Sequence, residues 1–195
     1  MASVTTHCNS LHRYGSLPPM ALEHALLVAL SEQPASGLDL AKRFGRSIGF
    51  FWSATHQQIY KVLGRMDADG WVDVTEVVQT GRADKKVYAV SPAGREVLAA
   101  WLAEPTETQG LRSEIAVKLR GASFGDRAVV LDVVRANLAD HAARLDHYRQ
   151  LVKRDYPEPD TLSGLDLDQY LVLRGGVRLE EFWIDWLTEY LEAHA

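Results

Sequence analysis

The segment from Thr55 to Gly70 restricts the fold more than any other, because its start, its two faces and its end are all written in residue types. Thr55-His56-Gln57-Gln58 has the capping-box spacing, in which a threonine hydroxyl and a glutamine side chain three residues on satisfy each other's backbone N–H groups at a helix N-terminus. Ile59, Val62, Leu63 and Met66 then fall on one helical face, and Gln57, Tyr60, Lys61 and Gly64 fall on the opposite one. Gly70 suits the left-handed residue just past a helix end. A helix apolar on one side only needs neighbours to cover it.

The flanking sequence supplies them. Residues 1–19 have no period and end in Pro18-Pro19, which predicts a flexible arm. Leu22, Leu26, Ala29 and Leu30 recur at helical spacing before Pro34, and Ser36-Gly37-Leu38-Asp39 offers a second capping box ahead of Leu40, Ala41 and Phe44. Gly45 and Gly49 with Phe50-Phe51-Trp52 mark a connection into the Thr55 helix. Beyond Gly70, the Val- and Thr-rich run to Gln79 and the run Lys86 to Val90 predict two strands joined by a polar tip. That tip sets Arg82, Lys85 and Lys86 against the single acid Asp84. Ser91-Pro92 then provides an N-cap and a first-turn proline, with Val97, Leu98, Trp101 and Leu102 on the apolar side of a further helix. Three short helices followed by a basic-tipped hairpin make a winged helix-turn-helix over residues 20–104.

Charge placement bears on what such a unit meets. The 195-residue chain has a net charge of −5, yet residues 1–104 carry ten Lys and Arg against ten Asp and Glu, so the whole excess lies in residues 105–195. The window Leu40 to Met66 holds Lys42, Arg43, Arg46, Lys61 and Arg65 and no carboxylate. On the outward helix face a Gln57 amide has the groups to read adenine, and Tyr60 and Lys61 have the reach for phosphate. Gly64 adds no bulk where a backbone approaches. Thr55, His56 and Arg65 on the same helix, with Arg82, Lys85 and Lys86 on the wing, complete a candidate surface for double-stranded DNA. The alternatives are an ordinary solvated face and a winged helix that docks protein, a use this fold also has.

Several of these residues form a familiar set. Ser36-Gly37-Leu38-Asp39-Leu40-Ala41, Gly49-Phe50-Phe51-Trp52, Gln58-Ile59-Tyr60 with Leu63, Gly70-Trp71-Val72, and Lys85-Lys86-Val87-Tyr88 closed by Pro92-Ala93-Gly94-Arg95 together resemble the PadR family of bacterial transcriptional regulators. The resemblance implies a mainly α protein with a small β-hairpin, an N-terminal winged helix-turn-helix and a C-terminal helical dimerisation domain. It also implies DNA contacts for Tyr60, Lys85 and Lys86. Many relatives have proline after the helix tyrosine, where this chain has Lys61 and so an added cation.

Residues 105–195 read as helical. Gly125-Asp126 precedes a run from Arg127 to Arg154 with apolar residues at helical intervals, with a break expected near Asp140 to Ala142, and Pro157 and Pro159 end it. A last helix follows Ser163-Gly164, with a kink or an interruption expected at Gly175-Gly176. Its stripe of Val177, Leu179, Phe182, Trp183, Trp186, Leu187 and Tyr190 needs a partner, and the candidates are the chain's own long helix, a second subunit or a ligand. A two-fold homodimer would set two recognition helices about 34 Å apart on a palindromic operator. Trp183 and Trp186 either anchor the core and interface or stack on a small-molecule effector.

No G-x-S-x-G elbow, P-loop, dinucleotide glycine pattern or H-E-x-x-H motif occurs, so the expectation is neither an enzyme nor a cofactor protein. His141 and His147 are six apart, and His7, Cys8 and His12 lie in the arm; neither group makes a metal site. One cysteine, no bilayer-length apolar run and no signal pattern point to a bacterial cytoplasm without membrane contact.

Overall fold

The computed structural model describes residues 20–44, 54–78, 85–106, 110 and 112–195, which form two compact units, Met1–Pro105 and Thr106–Ala195. The expected arm, the Gly45 to Trp52 connection and the wing tip with Arg82 lie outside the described residues.

In the first unit α1 (Met20–Glu32), α2 (Gly37–Phe44) and α3 (His56–Ala68) close around one apolar centre. Leu26, Leu27, Leu30, Leu40, Ile59, Leu63 and Met66 are its fully buried members. The hairpin follows as β2 (Val72–Val77) and β3 (Lys85–Val90), antiparallel with Val72 opposite Val90 and Glu76 opposite Lys86. A third strand, β1 (Ala35–Ser36), was not legible in the sequence. It is two residues long and exists only through its pairing with β3, Ala35 opposite Tyr88, so β3 is central in a three-stranded sheet.

The last helix of the unit, α4 (Pro92–Leu102), is locked to the α3–β2 turn through Ser91. The Ser91 hydroxyl accepts from the Gly94 N–H at 3.0 Å and donates to the Gly70 carbonyl at 2.6 Å, while its own N–H donates to the Trp71 carbonyl. Gly70 has φ of 71°, the left-handed conformation its position past α3 called for. Of the expected apolar side of α4, Leu98 is buried and Trp101 stacks on the buried His24 of α1 with ring centroids 4.5 Å apart, but Leu102 is exposed.

The second unit contains α5 (Glu114–Gly121), two short 3-10 turns (Ala122–Phe124 and Pro159–Thr161), and two long helices, α6 (Arg127–Asp155) and α7 (Gly164–Glu192). Both expected interruptions are absent: α6 runs unbroken past Asp140 to Ala142, and α7 past Gly175-Gly176. Glycine costs about 1 kcal/mol in a helix interior, and the packing of α6 and α7 along each other offsets it. Leu119, Val134 and Leu187 form the buried centre, flanked by Ile115, Leu138, Trp186, Tyr190 and Leu191.

That packing divides the aromatic stripe of α7. Val177 and Leu187 are 1% and 0% exposed in the single chain, so they are internal residues rather than surface available to another subunit. Leu179 and Phe182 are 46% and 49% exposed, and Trp183, Trp186 and Tyr190 are half-buried. Glu180, on the covered side, lies 2.5 Å from His141 Nδ1 and accepts from Arg144 Nε at 3.2 Å. Burial and the Glu180 charge raise the Tyr148 phenol above its ordinary range, with Arg144 acting the other way.

The close approach of Gly94 to the α3–β2 turn generates a prediction. A β-carbon there would run into the Trp71 carbonyl and come within 3.0 Å of Val90 Cγ1. Gly94→Ala is expected to destabilise the chain by about 1–3 kcal/mol, read as a lowered urea midpoint; an unchanged midpoint would show that the turn yields freely.

Candidate nucleic-acid interface

The inner side of α3 is held by Ile59, Leu63 and Met66, none with any exposure, and its outer residues Gln57, Tyr60, Lys61 and Gly64 are all exposed. The capping box forms in full. The Gln58 N–H donates to Thr55 Oγ1 at 3.2 Å, and the Thr55 N–H donates to Gln58 Oε1 at 2.8 Å. Thr55 therefore has its hydroxyl committed to the helix start, with His56 exposed beside it.

Tyr60 is supported from behind. A β-carbon on Gly37, the first residue of α2, would fall 2.8 Å from Tyr60 Cζ, so the phenol ring rests against glycine backbone that leaves room for it. The sequence presents Gly37 only as part of a cap, and its role as a seat for Tyr60 depends on how α2 and α3 meet. Gly64 differs, since nothing lies within 4 Å of where its β-carbon would be.

The cations expected on this surface are not all free. Arg65 reaches Glu23 Oε1 at 2.6 Å, and that carboxylate is nearly buried, so Arg65 braces α3 against α1. Lys85 donates to Asp39 Oδ2 at 2.7 Å, and the Ser36 hydroxyl donates to the same oxygen at 2.8 Å. These two bonds, Lys85 first, hold the Asp39 carboxyl below the usual carboxylate range. Lys86 lies 3.8 Å from Glu76 across the ladder, both well exposed, a pairing worth little in water. Lys61 is exposed on the outer face of α3.

Behind the wing strand, a cavity of about 460 Å³ opens where α1 ends and β1, α2 and β3 meet. Ser36, Asp39, Lys42, Arg43 and Lys85 line it together with Gln33. Arg43 is engaged there, donating to the carbonyls of Ala29, Gln33 and Pro34 and so closing the end of α1. Burial, then the Asp67 carboxylate and Tyr60, raise the Tyr88 phenol above its ordinary value. Asp39, Glu23 and Gly37 are the site residues that reading the sequence missed. The excess of cations from Leu40 to Met66 was visible, but the acids that answer it come from outside that window. Among the described residues no three His, Cys, Asp or Glu side chains cluster to hold a metal, and no helix is long and apolar enough to cross a membrane.

Comparison with known proteins places this arrangement. Residues 26–100 match the transcriptional regulator PadR-like family, and residues 111–195 match the C-terminal region of virulence activator alpha. A probable transcriptional regulator of Mycobacterium tuberculosis is 52% identical over 184 residues, covering 89% of this chain and 97% of that protein. The chain belongs to the PadR-like family of transcriptional regulators. Among solved structures, Bacillus subtilis PadR in complex with operator DNA superposes with a TM-score of 0.80 at 26% identity, covering 88% of this regulator and 98% of that chain. The same Bacillus subtilis protein in complex with p-coumaric acid gives a TM-score of 0.72 at 26% identity, over 91% of this regulator and 97% of that chain.

Proposed function

We propose that this PadR-like regulator is a dimeric repressor that binds a palindromic operator, with α3 in the major groove and the β2–β3 wing along the backbone. In this reading Gln57, Tyr60 and Lys61 meet base edges and phosphates. Thr55 and His56 lie at the groove-facing end of the helix, and Lys85, Lys86 and Arg82 serve the backbone. Arg65 contributes through its hold on α1 as much as through its charge.

The observation that carries the reading is the exposed face of α3. Gly64 sits at its centre, costs the helix about 1 kcal/mol relative to alanine, and meets nothing in the chain within 4 Å. A residue that weakens its own helix and fills no internal need is accounted for by an outside surface that comes close to the backbone. The Bacillus subtilis relative was solved with operator DNA, which supports DNA as that surface and favours it over a protein-docking role.

The second unit is assigned dimerisation through the exposed part of the α7 stripe, chiefly Leu179 and Phe182, with Trp183, Trp186 and Tyr190 at its margin. Val177 and Leu187 support it from inside. An aromatic small molecule is the class of effector that Trp183 and Trp186 would stack on; the Bacillus subtilis relative was solved with one such acid.

Three measurements test these assignments. Gly64→Ala should raise the unfolding free energy by about 0.5–1 kcal/mol while weakening binding to genomic fragments selected by the wild-type chain; a variant both more stable and equally tight would remove α3 from the groove. Lys86→Ala should weaken binding to every duplex alike and flatten the plot of log affinity against log salt by about 0.9, so an unchanged slope would take the wing off the backbone. In sedimentation, Phe182→Glu should yield folded monomers, and a folded dimer would move the subunit contact elsewhere.

A further inference from the structure

The cavity between α1, β1, α2 and β3 already contains an anion belonging to the chain. Asp39 Oδ2 receives the Lys85 ammonium at 2.7 Å and the Ser36 hydroxyl at 2.8 Å, and the Lys42 charge acts on the same carboxyl. Neither partner of the ion pair is sealed off, with side-chain exposures of 36% for Lys85 and 40% for Asp39. The cleft also borders the candidate interface. Asp39 is two residues from Gly37, the seat of the Tyr60 ring, and Lys85 opens the wing strand.

A carboxylate held by one lysine and a hydroxyl, in a cleft that a second lysine, Lys42, also lines, presents what those groups would require of a phosphodiester: one negative charge and two accepting oxygens on a small centre. We propose that this cleft is a DNA-backbone subsite with Asp39 as its internal competitor. In the free protein Asp39 occupies Lys85, and on binding a phosphodiester oxygen takes over the Lys42 and Lys85 ammonium groups. Asp39 is carried on α2 and stays within the cleft when displaced, so the bound surface presents one positive charge fewer than its lysines supply. The exchange lowers affinity for all sequences alike, because phosphates carry no base identity. This subsite rests on the DNA-binding reading above.

Asp39→Asn removes the charge and keeps an oxygen to accept from Ser36. Affinity would be measured against salt for the wild-type chain, Asp39→Asn and Lys42→Met, on a mixed-sequence synthetic duplex and on a genomic fragment selected by the wild type, with thermal melts confirming that each variant folds. Asp39→Asn is expected to bind both duplexes more tightly, by up to about 5-fold at low salt, with a salt slope steeper by up to about 0.9. Lys42→Met is expected to weaken both and to flatten the slope by about 0.9. A salt-dependent wild type whose two variants keep its slope, or an Asp39→Asn variant that binds more weakly, removes the subsite and leaves Asp39 a brace between α2 and the wing. Wild-type protein that binds neither duplex removes the DNA reading itself, and the subsite with it.

Discussion

The burial of one side of α3 is the constraint on which the rest of the first unit depends. Ile59, Leu63 and Met66 have no exposure, so the helix has no freedom to roll, and the residues set opposite them by the helical period are held outward. Its two ends are fixed separately. Thr55 and Gln58 close the start, and Gly70, tied through Ser91 to α4, closes the finish. A rigid helix with a defined outer face is what a groove-reading element requires, since a rotation of one residue would bring Ile59 or Val62 into the place of Tyr60 or Lys61.

The electrostatics of this face are less open than its composition suggests. Arg65, Lys85 and Lys86 each lie beside a carboxylate of another element, Glu23, Asp39 and Glu76 respectively. The three pairings differ in consequence because their solvation differs. Glu23 is nearly buried and ties Arg65 to α1; Asp39 accepts from Lys85 and from the Ser36 hydroxyl; Glu76 is bathed in water and hardly constrains Lys86. Exposure and partner decide which cations are free to meet a phosphate.

In the second unit a carboxylate on the covered side of α7 carries similar weight. Glu180 falls three residues before Trp183 and seven before Leu187, and burial there demands the partners His141 and Arg144 supply from α6. An acid on an otherwise apolar stripe was a visible signal of such a partner, although the stripe alone did not say which residue would answer it. The same packing takes Val177 and Leu187 inside and leaves Leu179 and Phe182 at the surface, which narrows where a second subunit has apolar area to cover.

What the sequence determined by itself was local: the caps at Thr55 and Ser91, the left-handed Gly70, the two-faced period of α3, the hairpin and the limits of the long helices. Each of these depends on groups within a turn or two of one another, so residue type and spacing suffice. Tertiary structure alone decided that Ala35 and Ser36 become a strand, that Gly37 seats Tyr60, that Asp39 holds Lys85 and that α6 and α7 run without a break. Those outcomes depend on groups distant along the chain, whose meeting is governed by which apolar faces pack together, and that is not encoded in any single window of residues.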